Sequence, residues 1–435
     1  MIPQSVTTSS PSDTGSPSVT NPVAFSVVTG VFFMWGFVTA LNDILVPHLK
    51  SLFALNYAQT MLIQFCFFGA YLVMSLPAGR VVSSLGYKSS MVIGLCVAGA
   101  GALLFYPAAA LPAYPVFLGA LFVLATGITL LQVAANPYVS LLGPERTAAS
   151  RLNLSQAVNS LGHVLGPLFG GLLILSGSTL VVCELAKLPA AAQTAYHLQQ
   201  AHAVQGPYLA IGAALFLLAL TVYLFHLPNL DDRAGNAARA PRHPIGATLR
   251  YPQVLLGVVA IFLYVGAEVS IGSFLASYVA DPAIGNVPID KAARFVSYYM
   301  LCAMFGRFCG SALLQKIAAR TLLSVFAALA AGLLLSTMVS HGSVAVWSVV
   351  AIGAFNSIMF PTIFTLSIEK MGNHTGRASS LLVMAIVGGA VIPELQGILA
   401  DALGSVQHAF ILPLLCYVYI ACYGLIGSKH VRAAA

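Results

Sequence analysis

Long apolar stretches alternate with short polar ones from residue 23 to residue 427. Most of the apolar stretches reach or exceed the roughly 20 residues that a helix needs to cross a bilayer. We therefore predict that each is a transmembrane helix. Twelve such spans are predicted, at residues 23–49, 58–79, 89–110, 115–142, 152–175, 206–227, 252–280, 293–315, 321–340, 343–368, 378–403 and 407–427.

Amide and imidazole side chains interrupt two of these apolar runs, on either side of the loop at residues 143–151. In the fourth span, Gln132 and Asn136 are four residues apart. In the fifth span, intervals of three, three and four place four polar side chains on one helix face: Asn153, Gln156, Asn159 and His163. Polar groups that face lipid would lack partners, at a cost of several kcal/mol. Both stripes are therefore predicted to face a polar interior.

Composition places the chain among multi-pass membrane proteins. Hydrophobic residues make up 59% of the sequence, charged residues make up 7%, and the mean hydropathy is +0.90. Most of the 19 Lys and Arg residues lie in segments that face one side if both termini are inside, which predicts cytoplasmic termini in a bacterial inner membrane. The net charge of +7 then reflects topology and attraction to anionic lipids, and it does not indicate nucleic-acid binding.

A polar stretch rich in Arg, Pro and Gly divides the spans into two sets of six. We predict a disordered cytoplasmic tail, an N-terminal domain, a cytoplasmic linker, a C-terminal domain and a second tail, at residues 1–22, 23–227, 228–250, 251–428 and 429–435. The halves resemble each other, because a similar distance separates Pro137 from Arg151 and Pro361 from Arg377. Asn136 and Asn356 precede these prolines. Bent, amide-bearing helices at matching places predict a binding site between two pseudo-symmetric bundles.

Carboxylates inside predicted spans are rare and costly, so they are candidates for ion coupling or substrate binding. Asp43 lies in the first span, close to Trp35 and Asn42. Glu268 lies well inside the seventh span, where a packing role is the alternative. Glu394, in the eleventh span, fits a site role and a packing role equally well.

Other chemistries find little support in the sequence. We find no HExxH pair, no serine–histidine constellation and no cofactor loop, and the seven cysteines have no metal-ligand spacing. The chain is therefore not expected to be an enzyme, and no metal or cofactor is predicted. We interpret Arg307, which lies within or at the end of the eighth span, as an anchor on the cytoplasmic side rather than a site residue.

Five motifs carry a resemblance to a known family: WGFVTALNDILVP (35–47), QVAANPYVSLLGPE (132–145), RLNLSQAVNSLG (151–162), GAEVSIGSFL (266–275) and FNSIMFPTIFTLSI (355–368). They resemble the fucose:proton symporter and glucose/galactose transporter family of the major facilitator superfamily. The resemblance implies an all-α membrane protein with twelve helices in two six-helix bundles and a sugar site between them.

The same resemblance assigns roles to individual residues. It matches the family's acid to Asp43, its aromatic ring to Trp35, and its two polar residues on the fifth helix to Gln156 and Asn159. The family's protonatable glutamate before AANP is Gln132 here, and an amide cannot carry the proton. Coupling could therefore rest on Asp43, Glu268, Glu394 or His163, with H⁺ or Na⁺ as the ion.

These observations predict a secondary transporter that imports a hexose such as glucose or galactose by cation symport. The predicted substrate-binding residues are Trp35, Asn42, Gln64, Gln132, Asn136, Gln156, Asn159, Glu268 and Asn356. Membrane lipids are the only other partners expected, and the chain is expected to be a monomer. The alternatives are symport of N-acetylglucosamine or fucose, export of drugs or metabolites, and a sugar sensor that does not transport.

Overall fold

A computed structural model describes residues 20–53, 55, 57–110, 113–173, 189, 204–230 and 245–427. Within these ranges the regular structure is helical and contains no strand. The helices are α1 (Pro22–Leu52), α2 (Tyr57–Ala110), α3 (Tyr114–Leu141), α4 (Ala148–Leu173), α5 (Gln205–Leu224), α6 (Ile245–Leu249), α7 (Pro252–Ala280), α8 (Ile289–Lys316), α9 (Ala319–Val339), α10 (Gly342–Asn356), α11 (Met359–Ile368), α12 (Thr375–Met384), α13 (Gly388–Leu403), α14 (Val406–Ala409) and α15 (Ile411–Leu425). Short 3₁₀ turns occupy Glu145–Thr147, Gly372–His374 and Ala385–Val387.

These helices account for the twelve predicted spans. The second and third spans are the two arms of α2, which meet at Gly86, where a φ of 78° suits glycine alone. The tenth span is divided into α10 and α11, and the eleventh into α12 and α13. Nine stretches of the described chain are long and apolar enough to cross a membrane. The helices α4 and α8 are not among these nine.

Proline frees a backbone carbonyl at a matching place in each half. A proline has no backbone N–H, so the carbonyl four residues earlier loses its helical donor. Pro137 in this way frees the carbonyl of Val133, which accepts a hydrogen bond from Ser379 Oγ at 2.9 Å. Pro361 frees the carbonyl of Ser357, which accepts one from Arg307 Nε at 3.2 Å. Both freed carbonyls are therefore satisfied by side chains from other helices.

Arg151 fixes the loop between α3 and α4. Its guanidinium donates to the carbonyls of Val139 (3.2 Å), Ser140 (2.6 Å) and Pro144 (2.9 Å). The first two carbonyls belong to the last turn of α3, where helical donors run out. This loop therefore has a structural role, in which a cation stabilises the carboxyl end of a helix.

The first bundle comprises α1–α5 and the second comprises α7–α15. We call the end at which the Tyr138 hydroxyl donates to the Pro228 carbonyl (3.0 Å) the linker end, because the chain passes there from one bundle to the other. The bundles meet along two seams, one between α4 and α8 and the other between α2 and α12. In the first seam, Ser150 Oγ donates to the Ser311 carbonyl at 2.7 Å and Ser311 Oγ donates back at 2.9 Å.

The second seam depends on a close approach between α2 and α12. A Cβ added to Gly79 of α2 would lie 2.7 Å from Ser380 Oγ of α12. Only a residue without a side chain fits at this distance. Both seams run from the linker end towards the middle of the helices, so the bundles are closed against each other on that side.

Candidate functional site

The predicted polar stripes of α3 and α4 lie in the interior of the first bundle. Gln132, Asn136, Gln156 and Asn159 are all buried, and we call these four residues the amide cluster. The prediction that these side chains turn away from lipid is consistent with this burial. Trp35 of α1 is buried as well, and its ring centroid lies 4.2 Å from that of Phe32.

Two members of the amide cluster are oriented by neighbouring helices. Gln132 Nε2 donates to the hydroxyl of Tyr71 in α2 at 2.9 Å. Asn159 Nδ2 donates to the Phe32 carbonyl in α1 at 2.7 Å. Each of these amides has one N–H committed, and its carbonyl oxygen remains as an acceptor.

The other two members have hydrogen-bonding capacity to spare. Both Nδ2 and Oδ1 of Asn136 are fully buried and have no partner among the described residues. The side-chain amide of Gln156 makes no hydrogen bond in the described part of the chain either. A buried amide without partners is costly, and a group with both hydroxyl donors and acceptors would relieve that cost. This arrangement suits a neutral polyhydroxy ligand.

Glycines bring α1 against α4 at this site. A Cβ on Gly36 would lie 2.6 Å from Asn159 Nδ2, and a Cβ on Gly162 would overlap the Phe33 carbonyl. The absence of side chains at both positions lets the backbone of α1 approach Asn159 of the amide cluster. Sequence reasoning missed this role, although the small-residue pattern of packed membrane helices is a signal that could have revealed it.

Asn356 of the second bundle is held differently. It is fully buried, and its Nδ2 donates to the hydroxyls of Tyr299 (2.5 Å) and Tyr417 (3.4 Å). Its Oδ1 has no partner among the described residues. The two tyrosines were not recognised in the sequence, and they hold the Asn356 amide within its own bundle.

Arg307, which was expected to be an anchor on the cytoplasmic side, contacts both bundles. Its NH2 lies 3.3 Å from Glu268 Oε1, with 15% and 25% of the two side chains exposed. Its NH1 donates to Ser160 Oγ in the first bundle. Asn153 Nδ2, also in the first bundle, donates to the Arg307 carbonyl at 2.7 Å. Glu268 is thus part of an ionic group that connects the two bundles.

The remaining predicted residues are placed less centrally or lie outside the described side chains. His163 is one turn beyond Asn159, with Nδ1 3.4 Å from the Asn159 carbonyl. Gln64 is half-buried in α2, two turns before Tyr71. Glu394 lies on an exposed face of α13, next to exposed Leu395. The side chains of two further candidates are outside the part that the structure describes: Asn42 and Asp43.

No cluster of three or more His, Cys, Asp or Glu residues that could hold a metal ion occurs among the described residues. Asn153, predicted on the polar stripe of α4, points to the seam with α8, since its amide binds the backbone of Arg307. The polar stripe therefore has two parts, with Gln156 and Asn159 in the amide cluster and Asn153 in the seam.

Comparison with known proteins identifies the family. The sequence matches the Major Facilitator Superfamily over residues 27–418. The chain belongs to this superfamily. It is 49% identical over 426 residues to the glucose/galactose transporter of Brucella abortus (strain 2308), covering 98% of this chain and 99% of the relative. It is 34% identical to the L-fucose-proton symporter of Escherichia coli (strain K12), covering 94% of this chain and 93% of the relative.

The fold comparison agrees with this family. The structure matches that of FucP, a major facilitator superfamily transporter described in the outward conformation, with a TM-score of 0.87 and 34% identity. The match covers 94% of this chain and 99% of FucP. The predicted architecture of twelve transmembrane helices in two bundles is thereby confirmed, as is the resemblance stated from the sequence motifs. This superfamily member is a multi-pass membrane transporter.

Proposed function

We propose that this transporter imports a hexose, glucose or galactose first of all, together with protons. The observation that carries the proposal is the buried amide cluster, in which neither Nδ2 nor Oδ1 of Asn136 has a partner among the described residues. The full-length similarity to a relative named as a glucose/galactose transporter supports the choice of sugar.

The chemistry of the cluster fits a neutral sugar. Each ring hydroxyl needs both an acceptor for its proton and a donor for its oxygen, and a carboxamide offers both on one side chain. In the proposed complex, Gln156 and Asn136 bind hydroxyls through free amide groups, and the Trp35 indole covers the apolar face of the ring. Large apolar drugs would leave these amides unpaired, which argues against the drug exporter.

Protons are the coupling ion that the similarity to fucose-proton symporters supports. Gln132 stands where the fucose type has a protonatable glutamate, so this chain needs another acid. In the proposal, Asp43 takes up the proton, and neutralising its charge lowers the cost of enclosing it with the sugar. If the coupling ion is sodium and not the proton, the uptake experiment below would reveal it.

The positions of the seams support a direction of access. The bundles are joined towards the linker end, and the excess of Lys and Arg in the segments at that end argues that it faces the cytoplasm. We therefore propose that this conformation is open towards the outside of a bacterial inner membrane, with both termini in the cytoplasm. The transporter is proposed to work as a monomer by alternating access of one central site.

Uptake into proteoliposomes tests the substrate and the ion together. Labelled glucose, galactose, N-acetylglucosamine and fucose are each supplied with an inside-alkaline pH gradient, and separately with an inward sodium gradient at constant pH. We expect glucose and galactose to accumulate with the pH gradient alone. Accumulation of only N-acetylglucosamine or fucose would change the substrate, and accumulation with sodium alone would refute proton coupling. Accumulation of no sugar under either gradient would overturn the proposed function.

A further inference from the structure

Arg307 joins three helical segments from two bundles at one point. Its NH2 approaches Glu268 Oε1 in α7 at 3.3 Å, and its Nε donates at 3.2 Å to the Ser357 carbonyl between α10 and α11. Its NH1 donates to Ser160 Oγ in α4, across the seam. One guanidinium therefore ties a carboxylate and a helix break of the second bundle to the first bundle.

Small residues allow this approach. A Cβ on Gly306 would lie 2.7 Å from Ser357 Oγ, and a Cβ on Gly310 would overlap Ile358 and lie 3.4 Å from Asn153 Nδ2. These glycines flank Arg307 at one residue before and three residues after it. The backbone of α8 can therefore pack against the α10–α11 break and α4 at the same time. Asn153 Nδ2 donates to the Arg307 carbonyl from the first bundle, so Arg307 contacts the seam through its main chain as well as its side chain.

The ionic group reaches the proposed sugar site through a single hydroxyl. Ser160 Oγ accepts from Arg307 and donates to the backbone carbonyl of Gln156 at 2.9 Å. Gln156 is one helical turn away and belongs to the amide cluster. A change in the position of Arg307 therefore alters the contacts of Ser160, which is one turn from Gln156, a residue proposed to bind the sugar.

Glu268 is surrounded by groups that make its charge depend on Arg307. The titratable side chains that interact with it are Arg307 of α8, Tyr264 of its own helix, Tyr299 of α8 and Tyr417 of α15. His163 of α4 faces the same arginine. Arginine is the one residue type in this group that is always positively charged near neutral pH. Removing either charge of such a partly buried pair leaves the other uncompensated.

We propose that Glu268 is a second proton site of the transport cycle, and that Arg307 is the positioning residue that links its charge to closure of the α4–α8 seam. With Glu268 ionised, the guanidinium is held between the carboxylate, Ser357 and Ser160, and the linker end stays closed. When the carboxylate oxygen binds a proton, Arg307 loses its ionic partner and the seam loosens. The proton leaves to water on the linker side once that side opens.

This inference rests on the proposed proton symport. It assigns part of the proton coupling to α7, whereas the resemblance to the fucose type places it on α3. The family position on α3 carries Gln132 in this chain, which cannot titrate. Glu268 supplies the carboxylate that α3 lacks. It lies in the opposite bundle, where a change of its charge acts on the contact between the bundles through Arg307.

The test uses a distance across the linker end, measured without sugar. Spin labels are placed at Arg80 of α2 and Lys316 of α8, both exposed, after the natural cysteines have been replaced. In the labelled parent we expect the long-distance population to grow as the pH falls. Glu268→Gln should show that population at every pH, because an amide cannot carry the charge. A pH-dependent distance that persists in Glu268→Gln would overturn the proposal.

Three further variants separate the charge effect from simple damage to the seam. Arg307→Lys keeps a cation and should keep a pH-dependent distance, whereas Arg307→Gln should lose it. Ser311→Ala removes an uncharged contact of the same seam, one turn away, and should keep the full pH dependence. If Ser311→Ala abolishes the pH dependence as Glu268→Gln does, the ionic group has no special role and the proposal fails.

Transport by the chain with its natural cysteines gives a second readout. Accumulation driven by a pH gradient should fall at least about tenfold in Glu268→Gln, the change expected when a charge-assisted bond is lost, whereas in Ser311→Ala it should stay within about threefold of the parent. Normal accumulation by Glu268→Gln would refute the inference. Because the distance measurement needs no sugar, a wrong substrate would leave it unchanged, so failure of the proposed function and failure of this inference are distinguishable.

Discussion

The two bundles treat their buried amides in different ways. In the first bundle, Asn136 keeps an unpaired donor and acceptor, and Gln156 has no hydrogen bond to the described residues. In the second bundle, the Asn356 amide donates to two tyrosine hydroxyls. The charged pair Glu268–Arg307 also lies on the second side. The difference suggests a division of labour, with sugar recognition in the first bundle and control of closure in the second.

The comparison is strengthened by the internal repeat. Pro137 and Pro361 each free a carbonyl, but the donors that satisfy these carbonyls differ. Ser379 reaches Val133 from the opposite bundle, whereas Arg307 reaches the α10–α11 break from within its own. Duplication has therefore preserved the bend of the helix while the surroundings of the bend have diverged.

The largest effect is expected from the acid assigned to the first bundle. Asp43→Asn should abolish accumulation of sugar against its gradient, because the amide cannot take up and release a proton. Exchange of labelled for unlabelled sugar should continue, since binding and reorientation do not require net proton transfer. Accumulation and counterflow measured in the same proteoliposomes check this. Accumulation equal to that of the parent would show that Asp43 does not couple.

Gln156→Ala tests recognition by the first bundle. Losing a buried hydrogen-bonding amide should weaken sugar binding by about 1–2 kcal/mol, which corresponds to a rise in KM of roughly five- to thirtyfold. The dependence of initial uptake rate on sugar concentration measures this change. A KM equal to that of the parent would remove Gln156 from the site and weaken the division of labour.

Asn356→Ala is the matched change in the second bundle, and it should show the opposite pattern. Leaving two buried tyrosine hydroxyls without their partner should cost about 1–3 kcal/mol of stability, seen as a lower Tm of the purified protein in detergent. The KM should stay within about twofold, because this amide is already engaged in its own bundle. A large rise in KM at unchanged Tm would place Asn356 on the sugar instead.

Tyr71→Phe should give the smallest effect. The change removes the hydroxyl that accepts from Gln132 Nε2 and leaves the ring in place. Gln132 would then lose one orienting contact, worth about 0.5–1.5 kcal/mol, so KM should rise by roughly two- to tenfold. Gln132→Ala provides the upper limit for this effect. If Tyr71→Phe raised KM more than Gln132→Ala, the tyrosine hydroxyl itself would have to contact the sugar.

The sequence predicted what depends on local pattern. Apolar run length gave the twelve spans, and the spacing of Gln156 and Asn159 on one face predicted that they lie in the interior. Bends at Pro137 and Pro361 followed from the missing N–H. Each of these inferences needs only residues within a few turns of one another. The boundaries of the two domains and the roles of the site residues remain predictions.

Contacts between distant parts of the chain were beyond the sequence pattern. Arg307 resembled a surface anchor because it lies near the end of a span, and its partner Glu268 is in another helix. The tyrosines that hold Asn356 are similarly remote, on α8 and α15. The role of Gly36 could not be identified from the sequence, because it depends on how closely α1 packs against Asn159 of α4. Such pairs depend on how the helices are arranged, which apolar periodicity does not specify.

The hydrogen bond from Ser379 to the Val133 carbonyl has a consequence for the rate of the cycle. When the linker side opens, α12 must withdraw its hydroxyl, and the proline four residues on cannot supply a replacement. A water molecule from the linker side has to take that place, since an orphaned carbonyl in a dry crevice is costly. Water must therefore enter the crevice as the bundles separate. Dehydrating conditions should keep the linker side closed.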